Sequence, residues 1–383
     1  MERQSVSVAS TPAAVAPGAL AACIAQEIEA AGGWLGFERY MELALYAPGL
    51  GYYARGDRQF GRLPSSGSDF VTAPELTPRF GRALARQLGQ ALDATGTDTL
   101  WEFGAGSGAL AASVLEALGE RVRRYTIVDL SGTLRARQRE TLAARVPQAL
   151  ERVQWADALP ESIDGVVIGN ELLDALPVAL LHFDGARWRE RGVVREGVGF
   201  AFAERDTGLR PPEDAARVAA PGRIVELPRQ AEAFVRTLAA TLRRGAAFFL
   251  DYGFPAAELH HPQRHGGTLM CHRGHRSDSD PLTDVGEKDI TAHVDFTAVA
   301  LAGQEAGLAV LGYTTQAHFL LNCGLLEDVA RTPDGRVDPR EAAALQTLLA
   351  EHEMGELFKV IGFAAGAPFE AIGFARGDRS HRL

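Results

Sequence analysis

The sequence has few cysteines and no long apolar run, and each shortage argues against a class of protein. Its three cysteines, Cys23, Cys271 and Cys323, are too few and too far apart for a disulfide framework, which indicates a reducing compartment. No uninterrupted apolar run approaches the ~20 residues that cross a bilayer. The most apolar windows, such as 246–250, have the length of a strand. We therefore expect a cytoplasmic protein without a membrane span.

Basic residues are also in short supply relative to acidic ones. The 39 Lys and Arg are outnumbered by 49 Asp and Glu, which gives a formal net charge of -10. A general nucleic-acid binder would normally carry a basic face or stripe, so we expect no nucleic-acid partner. Residues 1–18 lack the basic start and compact apolar stretch of a secretory signal, and we expect them to form a disordered leader.

The rest of the chain, with 46% hydrophobic residues overall, can build a substantial core. Region 19–97 is predicted to be helical, because Leu20, Ile24 and Ile28 recur at helical spacing. It is also expected to contain a loop, rich in Gly, Ser and Pro, that covers a site.

Region 98–383 alternates short apolar strands with helical patterns. This alternation is typical of an α/β fold in which helices cover both faces of a parallel sheet, and ligands then bind at the carboxyl ends of the strands. Between about 178 and 225 the pattern changes, which predicts an antiparallel and partly helical insertion. The predicted strands include 99–103, 125–129, 153–156, 166–169 and 246–251.

A glycine-rich turn follows the first of these strands. Gly104, Gly106 and Gly108 let the backbone turn tightly and approach a ligand, and the helix start behind them offers free N–H groups. With Ala109 as a third small residue, the turn also satisfies the looser dinucleotide fingerprint, so a nicotinamide oxidoreductase stays open at this point.

Two acidic residues follow the next strands. Asp129 comes a little over twenty residues after the glycine turn, where a carboxylate can bind both ribose hydroxyls of a nucleoside. The alternative for Asp129 is an acidic cap of the helix that opens at Ser131. Asp157 could receive an adenine amino group, or it could be an ordinary surface acid.

Three polar residues leave the predicted strand that ends near Gly169. If the segment after Asn170 is helical, Glu171 and Asp174 share one face and can converge on one cation. A pair of carboxylates is what a guanidinium requires, because its planar fork of donors pairs with two oxygens and its charge is permanent. The alternative is that Asn170 caps a helix whose first turn favours acids.

Two other clusters are weaker candidates. Thr291, His293 and Asp295 suggest a nucleophilic triad, but alternate residues of one segment seldom converge, so packing and capping before a helix from Phe296 explain them better. The second cluster consists of five histidines and one cysteine. It lacks zinc-finger spacing and a His-Glu-x-x-His helix, so we expect no metal there. Its members are His260, His261, His265, Cys271, His272 and His275.

Several runs of residues, in their order and spacing, resemble the MidA-like family of class I S-adenosylmethionine-dependent methyltransferases. The resemblance extends from about residue 24 to residue 363. The runs are Gly-Tyr-Tyr at 51–53, Asp-Phe-Val-Thr-Ala-Pro-Glu at 69–75, Glu-Phe-Gly-Ala-Gly-Ser-Gly at 102–108, Asn-Glu-Leu-Leu-Asp-Ala-Leu-Pro at 170–177, Asp-Tyr-Gly at 251–253 and Asp-Ile-Thr-Ala-His-Val-Asp-Phe at 289–296.

The resemblance implies S-adenosyl-L-methionine as cofactor, a Rossmann-like class I sheet and a protein substrate with an arginine acceptor. It also links the family to a mitochondrial relative that assists assembly of respiratory complex I, so a respiratory-complex subunit is one expected substrate. The sequence departs from its relatives at Ala73, where they often have Ser. The residues expected to bind the cofactor or cover it are Glu102, Gly104, Ala105, Gly106, Gly108, Asp129, Leu130, Asp157, Asn170, Thr72, Pro74 and Glu75.

Glu171, Asp174 and His293 are the candidates for handling the acceptor and its proton, and the sequence does not choose among them. Two further classes stay open beside an active methyltransferase. One is a non-catalytic assembly factor that retains the fold, and the other is the nicotinamide enzyme. A homodimer is also compatible with the sequence.

Overall fold

The computed structural model describes residues 18–55, 72–274, 276–327, 329, 335 and 337–383. The expected leader, apart from Gly18, lies outside the described residues, and so does the middle of the expected covering loop. The helices are α1 Ala19–Ala30, α2 Phe37–Tyr46, α3 Ala73–Leu76, α4 Pro78–Thr95, α5 Ala109–Leu118, α6 Gly132–Arg145, α7 Glu213–Arg217, α8 Arg229–Thr241, α9 Ala256–Leu259, α10 Phe296–Glu305, α11 Gln316–Asn322, α12 Pro339–Leu349 and α13 Met354–Leu357.

The strands form three sheets. The strands are β1 Leu35–Gly36, β2 Thr99–Phe103, β3 Arg124–Val128, β4 Val153–Ala156, β5 Ile163–Asn170, β6 Ala179–Phe183, β7 Trp188–Glu196, β8 Gly199–Arg205, β9 Ile224–Leu227, β10 Leu242–Phe254, β11 Met270–Arg273, β12 Arg276–Asp278, β13 Asp289–Thr291, β14 Val294–Asp295, β15 Ala309–Thr315 and β16 Phe358–Ala365. None of the described helices is long and apolar enough to cross a membrane.

The central sheet has the strand order β15-β16-β10-β5-β2-β3-β4. Strands β4, β3, β2, β5 and β10 are parallel, whereas β16 runs antiparallel to both of its neighbours. The chain leaves β2 towards β3 and β4 and then returns to β5 on the other side of β2. The strand order therefore reverses between β2 and β5, and a ligand is expected at the carboxyl ends of these strands.

Helices cover both faces of this sheet, and the sequence of the strands reflects that burial. Val166, Val167 and Ile168 of β5 are all fully buried, as expected for a strand with apolar residues on both faces. Helices α4 and α5 contribute to the hydrophobic core on one face, and α8 and α10 contribute to the core on the other. The predicted α/β sheet with helices on both faces is confirmed.

The predicted antiparallel insertion is also present. Strands β7, β6 and β9 pair antiparallel, with β8 on β7. The N-terminal region adds β1 to the same sheet, with Leu35 opposite Val193, and its helices share a hydrophobic core with the insertion. The two regions, far apart in sequence, thus pack together. The exact domain boundaries stay a prediction.

Candidate active site

A cavity of about 990 Å³ opens at the carboxyl edge of the central sheet. Its walls come from the ends of β2, β3, β5 and β10, from the end of α2 and the turn after it, and from β11 and β13. The cavity therefore lies where the reversal of strand order predicts a ligand. Many of the polar residues singled out from the sequence meet there.

The glycine turn forms one wall of this cavity. Gly104 has φ 67° and Gly106 has φ 53°, which is a left-handed backbone that glycine adopts without strain. Both residues line the cavity, whereas Ala105 and Gly108 do not. A Cβ at Gly108 would lie 3.2 Å from the Cα of Gln138, so this glycine allows α5 and α6 to approach each other closely.

Asp129 follows β3 and lines the same cavity. Its Oδ1 accepts a hydrogen bond from the Ser131 N–H at 2.9 Å, and its Oδ2 accepts one from the Gln138 side chain at 2.7 Å. Burial raises the pKa of Asp129, although these hydrogen bonds oppose the rise. The helix cap is Ser131 itself, whose hydroxyl accepts from the Leu134 N–H, so capping does not account for Asp129.

The other residues expected at the cofactor lie at different depths. Leu130 is 76% exposed and lines the cavity mouth. Glu102 lies outside the cavity lining and is buried, where it accepts a hydrogen bond from the Tyr125 hydroxyl at 2.7 Å. Burial raises the pKa of Glu102 to about 7. The Asp157 side chain is 85% exposed, lies 3.8 Å from Arg135 and is outside the cavity lining.

These features match the parts of S-adenosylmethionine. The carboxylate of Asp129 suits ribose hydroxyls, and the glycine turn leaves room for the ligand beside the backbone. Asn170 lines the cavity, and its buried Oδ1 has no hydrogen-bond partner among the described residues. A buried acceptor without a donor is costly, and the ammonium group of the methionine end would satisfy it. The residues present therefore fit this cofactor.

The segment after Asn170 is not helical, so the expected i, i+3 alignment of two acids on one helix is wrong. Residues 171–176 form turns, and Glu171 has φ 51°. The N–H groups of Leu172, Leu173 and Asp174 all donate to Oδ2 of Asp251, at 3.0, 2.8 and 3.2 Å. This carboxylate, from the neighbouring strand β10, gives these amides the partners that a helix would leave unsatisfied. Asn170 therefore caps no helix here.

The turn still brings Glu171 and Asp174 to the cavity. Burial raises the pKa of Glu171 to about 8, and the nearby Asp174 adds to the rise. Burial likewise raises the pKa of Asp174 to about 6. Neither carboxylate forms an ion pair with a Lys or Arg in the described part of the chain, and Oδ1 of Asp174 is buried without a hydrogen-bond partner there.

Three tyrosines and two further acids complete this end of the cavity, and the sequence analysis did not single them out as site residues. The Tyr53 hydroxyl donates to Oδ1 of Asp289 at 2.9 Å, and the Tyr46 hydroxyl donates to the carbonyl of Ala175 at 2.9 Å. The other two are Tyr252, which also lines the cavity, and Asp251 behind the turn. The motifs at 51–53, 251–253 and 289–296 contained the signal for most of this group.

His293 lines the cavity but forms no triad. Its ring packs edge-on against Tyr252, with ring centroids 5.4 Å apart, and tilted against Phe254. Burial lowers the pKa of His293 to about 4, so the ring is neutral near pH 7. Asp295 instead caps α10, with its Oδ1 accepting from the Ala298 N–H at 3.0 Å.

The end of the expected covering loop forms hydrogen bonds with site residues but does not line the cavity. Thr72 precedes α3, which contains Pro74 and Glu75. The Ser107 hydroxyl of the glycine turn donates to Glu75, and the Ala73 N–H donates to the carboxylate of Glu171. The segment therefore contacts both the glycine turn and Glu171. The part of the loop at 56–71 lies outside the described residues.

The His-rich segment does not form a metal centre in the described part of the chain. No group of three or more His, Cys, Asp or Glu side chains there could hold a metal ion. His275 falls outside the described residues. His272 lines the cavity, whereas His260 is buried and lies 3.7 Å from Asp295.

The parallel sheet with an antiparallel β16, the glycine turn after β2 and the acid after β3 define a class I S-adenosylmethionine-dependent methyltransferase. Residues 83–314 match the family model described as "Putative S-adenosyl-L-methionine-dependent methyltransferase", and the chain belongs to this family. The predicted class, cofactor and MidA-like resemblance are confirmed. S-adenosylmethionine, rather than a nicotinamide, is the cofactor.

Solved and curated relatives support the same family. A crystal structure from Burkholderia thailandensis, bound to S-adenosyl-homocysteine, is 53% identical with a TM-score of 0.91, and the match covers 95% of this chain and 96% of that one. The zebrafish (Danio rerio) protein arginine methyltransferase NDUFAF7, mitochondrial, is 27% identical over 84% of this chain and 81% of its own. Its human (Homo sapiens) counterpart is 28% identical, over 90% and 82%.

The expected cytoplasmic location is corrected by this comparison, because the curated relatives are named as mitochondrial proteins. The physical reason for the error is that few cysteines and the lack of a long apolar run are properties that proteins of several compartments share. A low cysteine count speaks against stable disulfides but does not distinguish one reducing compartment from another.

Proposed function

We propose that the protein transfers a methyl group from S-adenosylmethionine to a guanidinium nitrogen of an arginine in a protein substrate. The observation that carries this proposal is the pair of carboxylates at the cavity wall, half-buried Glu171 and buried Asp174, without a cationic partner in the described residues. The names of the curated relatives, protein arginine methyltransferases, support the same acceptor.

A cation is the ligand that these acids favour on physical grounds. Buried carboxylates are costly to ionise, which is why the pKa values of both are raised. A guanidinium remains charged at any physiological pH and offers several donors in one plane, so it can compensate both charges and form charge-assisted hydrogen bonds. A neutral acceptor would leave the cost of ionisation in place.

Each side chain then has one task in the reaction. Bound S-adenosylmethionine supplies a methyl group on a positively charged sulfur, which is already a good leaving group. Asp129 holds the ribose and Asn170 the methionine end, while Glu171 and Asp174 orient the guanidinium. Such orientation of two reactants can supply several kcal/mol of the rate acceleration.

The acceptor nitrogen must also lose a proton, because a guanidinium cannot carry two charges after methylation. Oδ1 of Asp174 is the acceptor we favour, since it has no hydrogen-bond partner among the described residues. Glu171 receives hydrogen bonds from Asn170 and Ala73. Asp174 also receives them, from the Tyr252 hydroxyl and the Ala175 N–H, but its Oδ1 is left buried without a partner among the described residues. His293 is neutral near pH 7, but its low pKa makes it a weaker base than Asp174.

The acceptor is tested by labelling proteins of heat-treated cell extract with methyl-tritiated S-adenosylmethionine. After complete acid hydrolysis, we expect the label in N-methylated arginine when the wild type is present, and none when the wild-type protein is omitted. Label in methyl-lysine or methyl-histidine would refute an arginine acceptor. The link to respiratory-complex assembly and the homodimer stay predictions.

The efficiency of the reaction should depend on pH through the two acids. Both pKa values are raised, so the carboxylates are protonated below about pH 6 and fully ionised only above about pH 8. A guanidinium binds the ionised forms, and kcat/KM for the acceptor should therefore rise by at least about tenfold across this range. Initial rates at subsaturating acceptor measure it. Glu171→Gln should remove the upper inflection, and an unchanged profile in this variant would contradict the assignment.

A further inference from the structure

Asp251 holds the acceptor acids from behind the cavity wall. It lies in β10, is fully buried and is not part of the cavity lining. Its Oδ2 accepts hydrogen bonds from three consecutive backbone N–H groups, those of Leu172, Leu173 and Asp174. Its Oδ1 accepts from the Tyr252 N–H at 2.9 Å. Both oxygens are thus directed at the backbone and away from the ligand.

The segment that Asp251 holds is unusual in its backbone conformation. Glu171 has φ 51°, a region that side chains other than glycine rarely occupy and that persists only where the surroundings enforce it. The Glu171 N–H donates to the carbonyl of Leu250 at 2.8 Å, directly before Asp251. Consecutive N–H groups that converge on one point form an anion-binding nest, and the Asp251 carboxylate occupies it.

We propose that Asp251 is a positioning residue for methyl transfer, which fixes the turn at 171–174 so that Glu171 and Asp174 face the acceptor. This inference rests on the proposed function, because it assigns those two acids to the acceptor. Strand pairing supports it: Leu250 and Asn170 form the last pair between the parallel strands β10 and β5. The side chain that follows Leu250 therefore reaches the backbone that follows Asn170.

The test is Asp251→Asn, which keeps the size of the side chain but replaces one of its two acceptor oxygens with an NH2 donor. We expect kcat/KM for the acceptor to fall about 100-fold, while the affinity for S-adenosyl-homocysteine, measured by calorimetry, changes less than about threefold. The inflections between about pH 6 and about pH 8 should also move towards ordinary carboxyl values, because a released turn exposes both acids to water. The same movement is expected in Asp251→Glu, which keeps the carboxyl group and so does not remove the repulsion between Asp251 and the two acids.

Asp295→Asn is the matched control. Asp295 is also a buried aspartate that accepts a hydrogen bond from a backbone N–H, but it caps α10 and does not contact the turn at 171–174. This variant should lose stability in thermal unfolding and keep the wild-type pH profile. A purely structural role for Asp251 would give that same pattern, so it would overturn the proposal.

A second variant covers the case that Asp251→Asn does not fold. Asp251→Glu keeps the charge and both oxygens but displaces them by one methylene group, and we expect the same pattern with a smaller loss. Acceptor kinetics like those of the wild type, in whichever variant folds, would overturn the proposal. If the wild type methylates a residue other than arginine, the proposed function fails, but the comparison of wild type with the variants still decides the role of Asp251.

Discussion

Asp129→Ala is expected to weaken the binding of S-adenosyl-homocysteine by about 100-fold or more, since the variant loses hydrogen bonds between a carboxylate and both ribose hydroxyls. A hydrogen bond to a charged group contributes about 1.5–3 kcal/mol. Two of them therefore correspond to at least about two powers of ten in affinity, because about 1.4 kcal/mol is tenfold. The fold should survive, because Asp129 lies at the cavity wall and Ser131 caps the following helix.

Isothermal titration calorimetry of wild type and variant measures this effect, with NAD as a control ligand that should not bind. Asp157→Ala is the matched control. Asp157 directly follows β4, the strand next to β3, but its side chain projects into solvent outside the cavity. We expect its affinity to equal that of the wild type. Equal losses of affinity in the two variants would contradict the assignment of the ribose to Asp129. A loss of affinity only in Asp157→Ala would indicate that Asp157, and not Asp129, binds the nucleoside.

Glu171→Gln and Asp174→Asn are each expected to lower kcat/KM for an arginine acceptor by about 100- to 1,000-fold. Removing one partner of a buried charge pair typically costs about 2–5 kcal/mol, most of it through the charge left without its partner. Both substitutions keep the size of the side chain, so the cavity keeps its shape. The affinity for S-adenosyl-homocysteine should change little, because the residues proposed to hold the nucleoside, Gly104, Gly106 and Asp129, follow β2 and β3 rather than β5.

Tritium transfer to acceptor protein under single-turnover conditions measures this loss. Glu140→Gln on the exposed face of α6 controls for the change from a carboxylate to an amide. This experiment also separates the enzyme from a non-catalytic assembly factor that retains the fold. If both variants support methyl transfer at the wild-type rate, the acids do not hold the acceptor.

Most of the central sheet could be predicted from the sequence, because its parallel strands are short and mostly apolar and alternate with helical patterns, and a glycine turn or a polar residue follows several of them. The glycine turn, Asp129 and Asn170 were found in this way, and the structure brings them to one cavity. Their individual roles stay predictions. The antiparallel direction of β16 was not predicted, since no local pattern distinguishes the two directions of a buried strand.

The turn at 171–174 could not be predicted, because its conformation depends on a residue far along the chain. Asp251 lies 77 to 79 residues from the amides that it accepts from. Local patterns alone favoured a helix with two acids on one face. Tyr46 and Tyr53 could not be predicted as site residues for the same reason, because their hydroxyls donate to partners 129 and 236 residues away. Side chains of this kind acquire their roles only through tertiary contacts.

The cavity is formed by two structural units, because the pairing of β1 with β7 and the positions of these two tyrosines add the N-terminal region to the central sheet. The nucleoside wall comes from the turns after β2 and β3 of the central sheet, whereas part of the acceptor wall comes from the N-terminal helices that pack on the insertion. Under the proposed function, we expect mutations in the second unit to alter recognition of the acceptor without changing cofactor binding. Paralogues that diverge in target are therefore expected to differ mainly in the N-terminal helices and the insertion, and to keep the turns after β2 and β3 nearly constant.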